Sequence, residues 1–199
     1  MAFYSFTAKL AFFFALLVSV VSATTVRVCN EFADEIHLSW DVNVPSMYKP
    51  QDKTLYNTQC TNEDLAANWG GAIFVGLVPN GLDVGDWRNH DTKVELTVGG
   101  YENFDFFDVD QEKGASVPVV ISVGDMHGGC PVDKLPSCPV EWQMRHVASG
   151  PVVQCRNDQT AQAQAFFEGD CPNTYVRFDD IQTKVATVPQ QMSVRVGTA

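Results

Sequence analysis

Basic residues are scarce in this sequence. Lys and Arg together number 13 against 24 Asp and Glu, giving a formal net charge of −11 over 199 residues. That balance excludes a nucleic-acid partner, because affinity for a polyanion comes from neutralising its phosphates. An anionic membrane surface is disfavoured on the same ground. No pair among the six Cys has C-x-x-C spacing, which removes the usual zinc and redox motifs. No Asn-x-Ser/Thr sequon occurs, since Asn173-Thr174-Tyr175 fails at its third place, so N-glycosylation is not expected. Long apolar runs are missing too. The one candidate, Leu10 to Val21, is too short to span a bilayer.

That run belongs to a different kind of segment. Residues 1–23 carry a single Lys, Lys9, then the apolar stretch, then the small-residue site Val21-Ser22-Ala23. Together these features predict a signal peptide cleaved after Ala23. Residues 24–199 are then one domain of 176 residues (199 − 23), secreted and either extracellular or cell-wall associated. Cys29, Cys60, Cys130, Cys138, Cys155 and Cys171 would meet an oxidising compartment. An even count there predicts three disulfides, with fifteen connectivities open. A chain of this length builds a real hydrophobic core, so the bridges staple it rather than replace it.

Period two dominates the rest. Val26 and Val28, then Ile36, Leu38 and Trp40, alternate with more polar neighbours. Val94, Leu96 and Val98 do the same, as do Val117, Val119, Ile121 and Val123, and Met192, Val194 and Val196. Each set predicts a strand with one face on a core. Ala72 to Val78 is apolar throughout and reads as a strand covered on both faces, stopping at the Pro79-Asn80-Gly81 turn. The best helical segment is Asp158 to Glu168, with Asn157 or Asp158 as cap and Gly169 as stop. These residues predict a β-sandwich or open barrel with a looser Cys-bearing region around 125–175.

Familiar catalytic patterns fail when tested. Gly114-Ala115-Ser116-Val117-Pro118 has Pro where a nucleophile elbow needs its second Gly. His37, His90, His127 and His146 form no i, i+4 metal pair. Asp125-Met126-His127-Gly128-Gly129 reads as a turn. The acidic run of residues 99–118, GGYENFDFFDVDQEKGASVP, has no Gly at the sixth or Glu at the twelfth place of a calcium loop. No metal and no cofactor is expected. Asp108 and Asp110 share one strand face, while Asp105 has the parity of Phe107; a bulge would be needed to gather all three.

The stretches Lys93-Val94-Glu95-Leu96-Thr97-Val98-Gly99-Gly100, Phe104-Asp105-Phe106-Phe107-Asp108-Val109, Cys138-Pro139-Val140-Glu141-Trp142, Val152-Val153-Gln154-Cys155 and Cys171-Pro172-Asn173-Thr174-Tyr175 with Asp179-Asp180 follow one another in the order of the thaumatin-like family's motifs. The chain resembles a divergent, cysteine-poor member. The resemblance implies an all-β fold: a thaumatin-like β-sandwich with a small disulfide-bearing lobe containing one short helix, and an acidic cleft between the two. It also implies the pairs Cys130–Cys171 and Cys138–Cys155, leaving Cys29–Cys60. The family's cleft Glu falls on Glu95, and two of its Asp on Asp108 and Asp180. A third Asp falls on Lys113, and the cleft Arg falls near Ala72. Lys113 is expected beside Asp108, offsetting part of the cleft's charge. Phe106 is expected in the cleft wall or the core, with Phe104 and Phe107. Asp105, Asp110 and Glu112 read as solvated surface, since single surface acids are ordinary.

Three functions compete. The preferred one is non-enzymatic binding of a neutral cell-wall β-glucan, or of a host or wall protein, through the cleft residues Glu95, Asp108, Asp180, Lys113 and Phe106, in a defence, antifungal or effector role and as a monomer. A second is a weak endo-β-1,3-glucanase using Glu95 with Asp108 or Asp180, which needs carboxyls about 5–5.5 Å apart if retaining and about 6.5–9.5 Å if inverting. A cation at Lys113 argues against it, because it lowers a carboxyl pKa where a general acid needs it raised. The third is an inhibitor of a secreted hydrolase.

Overall fold

Alternation becomes strands, and the longer strands of the two large sheets turn their apolar side inward. The computed structural model describes residues 23–77, 88–187 and 191–197. The predicted signal segment up to Ser22 and the Pro79-Asn80-Gly81 turn lie outside them. The strands are β1 (Ala23–Asn30), β2 (Ile36–Val42), β3 (Lys53–Leu55), β4 (Cys60–Ala66), β5 (Gly70–Gly76), β6 (Thr92–Thr97), β7 (Phe104–Asp110), β8 (Gly114–Ala115), β9 (Val119–Val123), β10 (Met126–Cys130), β11 (Gln143–Arg145), β12 (Val152–Arg156), β13 (Lys184–Thr187) and β14 (Gln191–Val196). One sheet runs β10-β9-β14-β1-β4 and a larger one β13-β7-β6-β5-β2-β3. A small sheet, β11-β12-β8, belongs to the lobe. All pairings are antiparallel except β1 with β14.

The two large sheets bury one continuous core. Val26, Val28, Ile121 and Val194 from one sheet meet Trp40, Ile73, Val94 and Phe107 from the other, all fully buried. Trp40 and Trp69 pack edge to face, their centroids 6.1 Å apart. This is a sandwich rather than an open barrel, since each large sheet ends at its own edge strands. β5 is buried along almost its whole length, as its unbroken apolar run predicted.

Asp105 departs from the expected solvated acid. It is fully buried, accepting from Thr24 Oγ1 at 3.0 Å and from the Gly99 amide at 2.8 Å. It therefore links β1 of one sheet to β7 of the other. Asp110 is buried as well, and Glu112 is partly buried. No bulge gathers Asp105 with Asp108 and Asp110, because β7 keeps an unbroken register against β6.

A second, smaller core lies in the lobe, where Trp142, Phe166 and Phe167 pack around the Cys138–Cys155 bridge. Its helix, α1 (Ala161–Glu168), starts three residues later than the sequence pattern suggested. Thr160 is the cap, accepting from the Ala163 amide, while Asp158 accepts from the Thr160 amide and hydroxyl. Gly169 ends it. Lys134 is buried and donates to the Phe166 carbonyl at 2.9 Å and to Asp170 at 2.7 Å, tying residues before the helix to its last turn. Bridges join Cys29 to Cys60, Cys130 to Cys171 and Cys138 to Cys155, the pairing that the resemblance implied. Ser116 is buried, donating to the Val153 carbonyl and accepting from the Leu77 amide, so it holds the lobe to the sandwich. The segment read as a turn at Asp125 enters β10 at Met126. There, Gly129 has φ +109°, and a Cβ would stand 2.3 Å from the Val119 carbonyl oxygen, so only Gly fits this close approach.

Candidate functional site

The outer face of the larger sheet carries the chemistry. Val94 and Leu96 turn inward, so Lys93, Glu95 and Thr97 must turn outward. On β7, Phe107 and Val109 turn inward and place Phe106, Asp108 and Asp110 on the same outer face. Register then sets the rows: Ala72 opposite Glu95 opposite Asp108, and Phe74 opposite Lys93 opposite Asp110. Opposite residues on neighbouring strands have Cα atoms about 4.5–5.5 Å apart, so these groups interact directly.

Lys93 is the cation of this site. Its Nζ lies 2.5 Å from Asp110 Oδ2 and 2.9 Å from Glu95 Oε1. Burial works against its charge, but Asp110 and then Glu95 outweigh it and raise the ammonium pKa. Asp110 is nonetheless pushed upward, chiefly by burial, with Lys93 pulling the other way. Asp108 is raised furthest, to about 7; burial and then the charge of Glu95 outweigh the hydrogen bond from Thr183. Thr183 Oγ1 donates to Asp108 Oδ2 at 3.1 Å. The other oxygen, Oδ1, is buried without a hydrogen-bond partner.

That oxygen belongs to a residue lining a cavity of about 260 Å³, together with Glu95, Phe106, Thr97, Asn43 and Thr183. A second cavity, of about 420 Å³, is lined by Lys93, Asp110, Lys113, His90 and Asp91. Asp108 and Glu95 therefore sit at one hollow, and the Lys93–Asp110 pair at the other.

Lys113 does not accompany Asp108. It is exposed and pairs with its neighbour Glu112 at 3.1 Å, while the cation acting on Asp108 is Lys93. Asp180 is also engaged elsewhere. One of its oxygens accepts from the Val176 and Arg177 amides, and the other from the Arg177 guanidinium. Those hydrogen bonds outweigh its burial and hold its pKa below the usual carboxylate value. Asp180 thus braces a turn, and the hydroxyl that Asp108 accepts from belongs to Thr183 instead. Of the residues marked in the sequence, the structure brings together Glu95, Asp108 and Phe106. It adds Lys93, Asp110 and Thr183. The signal for Lys93 and Asp110 was present as strand parity; the register that pairs them was not.

Chemically, the face offers one carboxyl poised between its neutral and charged forms, a second carboxylate beside it, and an aromatic wall. A neutral Asp108 both donates and accepts hydrogen bonds, as a sugar hydroxyl does.

Among the described residues, two packed, mainly antiparallel sheets with one short α-helix, held by three disulfides, make an all-β thaumatin-like fold. No family model matches the chain, and no curated protein matches it in sequence. Among solved structures, the chain is similar to the protein elicitor MoHrip2 from Magnaporthe oryzae, with a TM-score of 0.52 and 14% identity, over 87% of this chain and 98% of that one. That likeness is one of fold. A looser one links it to the thaumatin-like xylanase inhibitor TLXI, with a TM-score of 0.45 and 10% identity, over 86% and 97% of the two chains.

Proposed function

We propose that this chain is a secreted, non-enzymatic binding protein that holds a neutral polysaccharide, a cell-wall β-glucan, on the acidic outer face. The observation that carries the reading is the unpartnered buried Asp108 Oδ1 in a residue lining a hollow beside Glu95 and Phe106. A sugar hydroxyl supplies the hydrogen bond that Asp108 Oδ1 lacks, and Phe106 offers a ring to the apolar side of a pyranose. Three disulfides fit an oxidising, extracellular setting. No helix among the described residues is long and apolar enough to cross a membrane. The net charge of −11 tolerates a neutral ligand and repels a polyanionic one.

One observation favours a second reading. Asp108, raised to about 7 beside the carboxylate of Glu95, has the unequal environment that separates a general acid from its partner. Lys113 turns away to Glu112, and the cation that does act on Asp108, Lys93, is outweighed by burial and Glu95. The earlier objection to a weak endo-glucanase therefore falls for this pair, though not for Asp180, whose oxygens are saturated. The experiment is retention on insoluble β-1,3-glucan, chitin and cellulose, with reducing-end release from laminarin measured alongside. Binding expects retention on β-1,3-glucan that Asp108→Asn weakens, with no hydrolysis. Hydrolysis lost in both Asp108→Asn and Glu95→Gln would replace it with the glucanase. Absence of both retention and hydrolysis would reject the two together and leave a protein target.

A further inference from the structure

A cavity larger than either of the two hollows at the acidic face lies away from that face. About 710 Å³ opens between the sandwich and the lobe, within the range of small-molecule sites. Phe32 and Leu77 from the sandwich face Leu135, Val152 and Val153 from the lobe. Asp34, Glu35 and Asp133 join this apolar lining. Among the described residues, no Lys or Arg lines the groove or pairs with any of the three.

His37 does not supply the missing positive charge. Its Nδ1 lies 2.9 Å from Thr54 Oγ1 and its Nε2 lies 3.2 Å from Glu35 Oε1. A neutral ring carrying its proton on Nε2 satisfies both contacts. Burial, opposed only by Glu35, lowers its pKa and keeps it neutral at pH 7. The groove thus combines an apolar body with uncompensated negative charge.

We propose that this groove between the sandwich and the lobe binds a small organic cation: an amine or guanidine carried on an apolar body, the body against Phe32, Leu135 and Val152 and the head toward Asp34, Glu35 and Asp133. A neutral apolar ligand would leave the carboxylates unanswered. An anion would be repelled by all three. The inference stands apart from the polysaccharide reading, since the two sites share no lining residue.

The test uses 4-phenylbutylammonium, 4-phenylbutanol and 4-phenylbutyrate, one apolar body with three heads, titrated into the folded chain and followed by amide NMR. The cation is expected to bind best and the anion worst, shifting the amides of Phe32, Leu77, Leu135 and Val152. Asp34→Asn with Glu35→Gln should lower cation affinity about fivefold, the order that a partly screened ion pair gives, and leave the alcohol unchanged. Both positions are exposed, so that variant should fold. Val152→Trp should weaken all three ligands by filling the groove. Equal binding of the three ligands would overturn the proposal. So would shifts centred on Glu95 and Asp108, or no effect of the double substitution.

Discussion

Replacing Asp108 by Asn removes one charge from the outer sheet face and leaves its shape nearly unchanged. The carboxyl of Asp108 rises from 3.8 to about 7 on folding, because it is buried beside Glu95. A folded-state pKa above the unfolded one means that the native state holds its proton more tightly. Stability from this group is therefore complete below pH 4 and is lost as pH rises toward 7. A shift of about three units corresponds to a ceiling of about 4 kcal/mol. Asp108 is only 6% exposed, so solvent screening takes little from that figure. Asp108→Asn should then be as stable as the parent near pH 4 and more stable by about 2–4 kcal/mol at pH 8. Urea unfolding from pH 3.5 to 8.5, with the disulfides intact, measures the difference. Asp110 and Asp105 also titrate upward, but they remain in both proteins and largely cancel. A difference that stays flat across the range would refute the argument. So would an Asp108 carboxyl carbon that titrates near 4 by NMR.

Lys93→Met should cost about 3 kcal/mol, because it strands Asp110 buried and unpaired, and should move the Asp108 midpoint still higher. Lys113→Asp, five residues from Asp108 in sequence, should leave that midpoint where it is; the same NMR titration reads both. Lys134→Met should cost about 2 kcal/mol by leaving the Phe166 carbonyl without its donor, seen as a lower urea midpoint. Joint Cys138→Ala and Cys155→Ala, opening a loop of sequence separation 17, should cost about 3 kcal/mol in the same assay.

The sequence by itself determined the strands and which of their faces are buried. Side chains alternate across a strand, so Val94 and Leu96 turned inward force Lys93 and Glu95 outward, and no tertiary information is needed for that. The same parity placed Asp108 and Asp110 together. The motif order carried the fold class, and with it the bridges Cys130–Cys171 and Cys138–Cys155. Only the tertiary structure decided what those faces meet. Register is a relation between distant segments, so that Lys93 stands opposite Asp110 and Glu95 opposite Asp108 was not contained in either strand alone. Burial of Asp105 depended on Thr24, a residue 81 positions away, offering its hydroxyl from the other sheet. Asp180 looked like a cleft acid in its motif, but the chain folds its own Val176 and Arg177 donors onto it. Lys113 looked like a cleft cation until its neighbour Glu112 took it. A charged side chain goes to whichever partner folding brings within reach, and that is decided by the packing of whole sheets, not by its position in a motif.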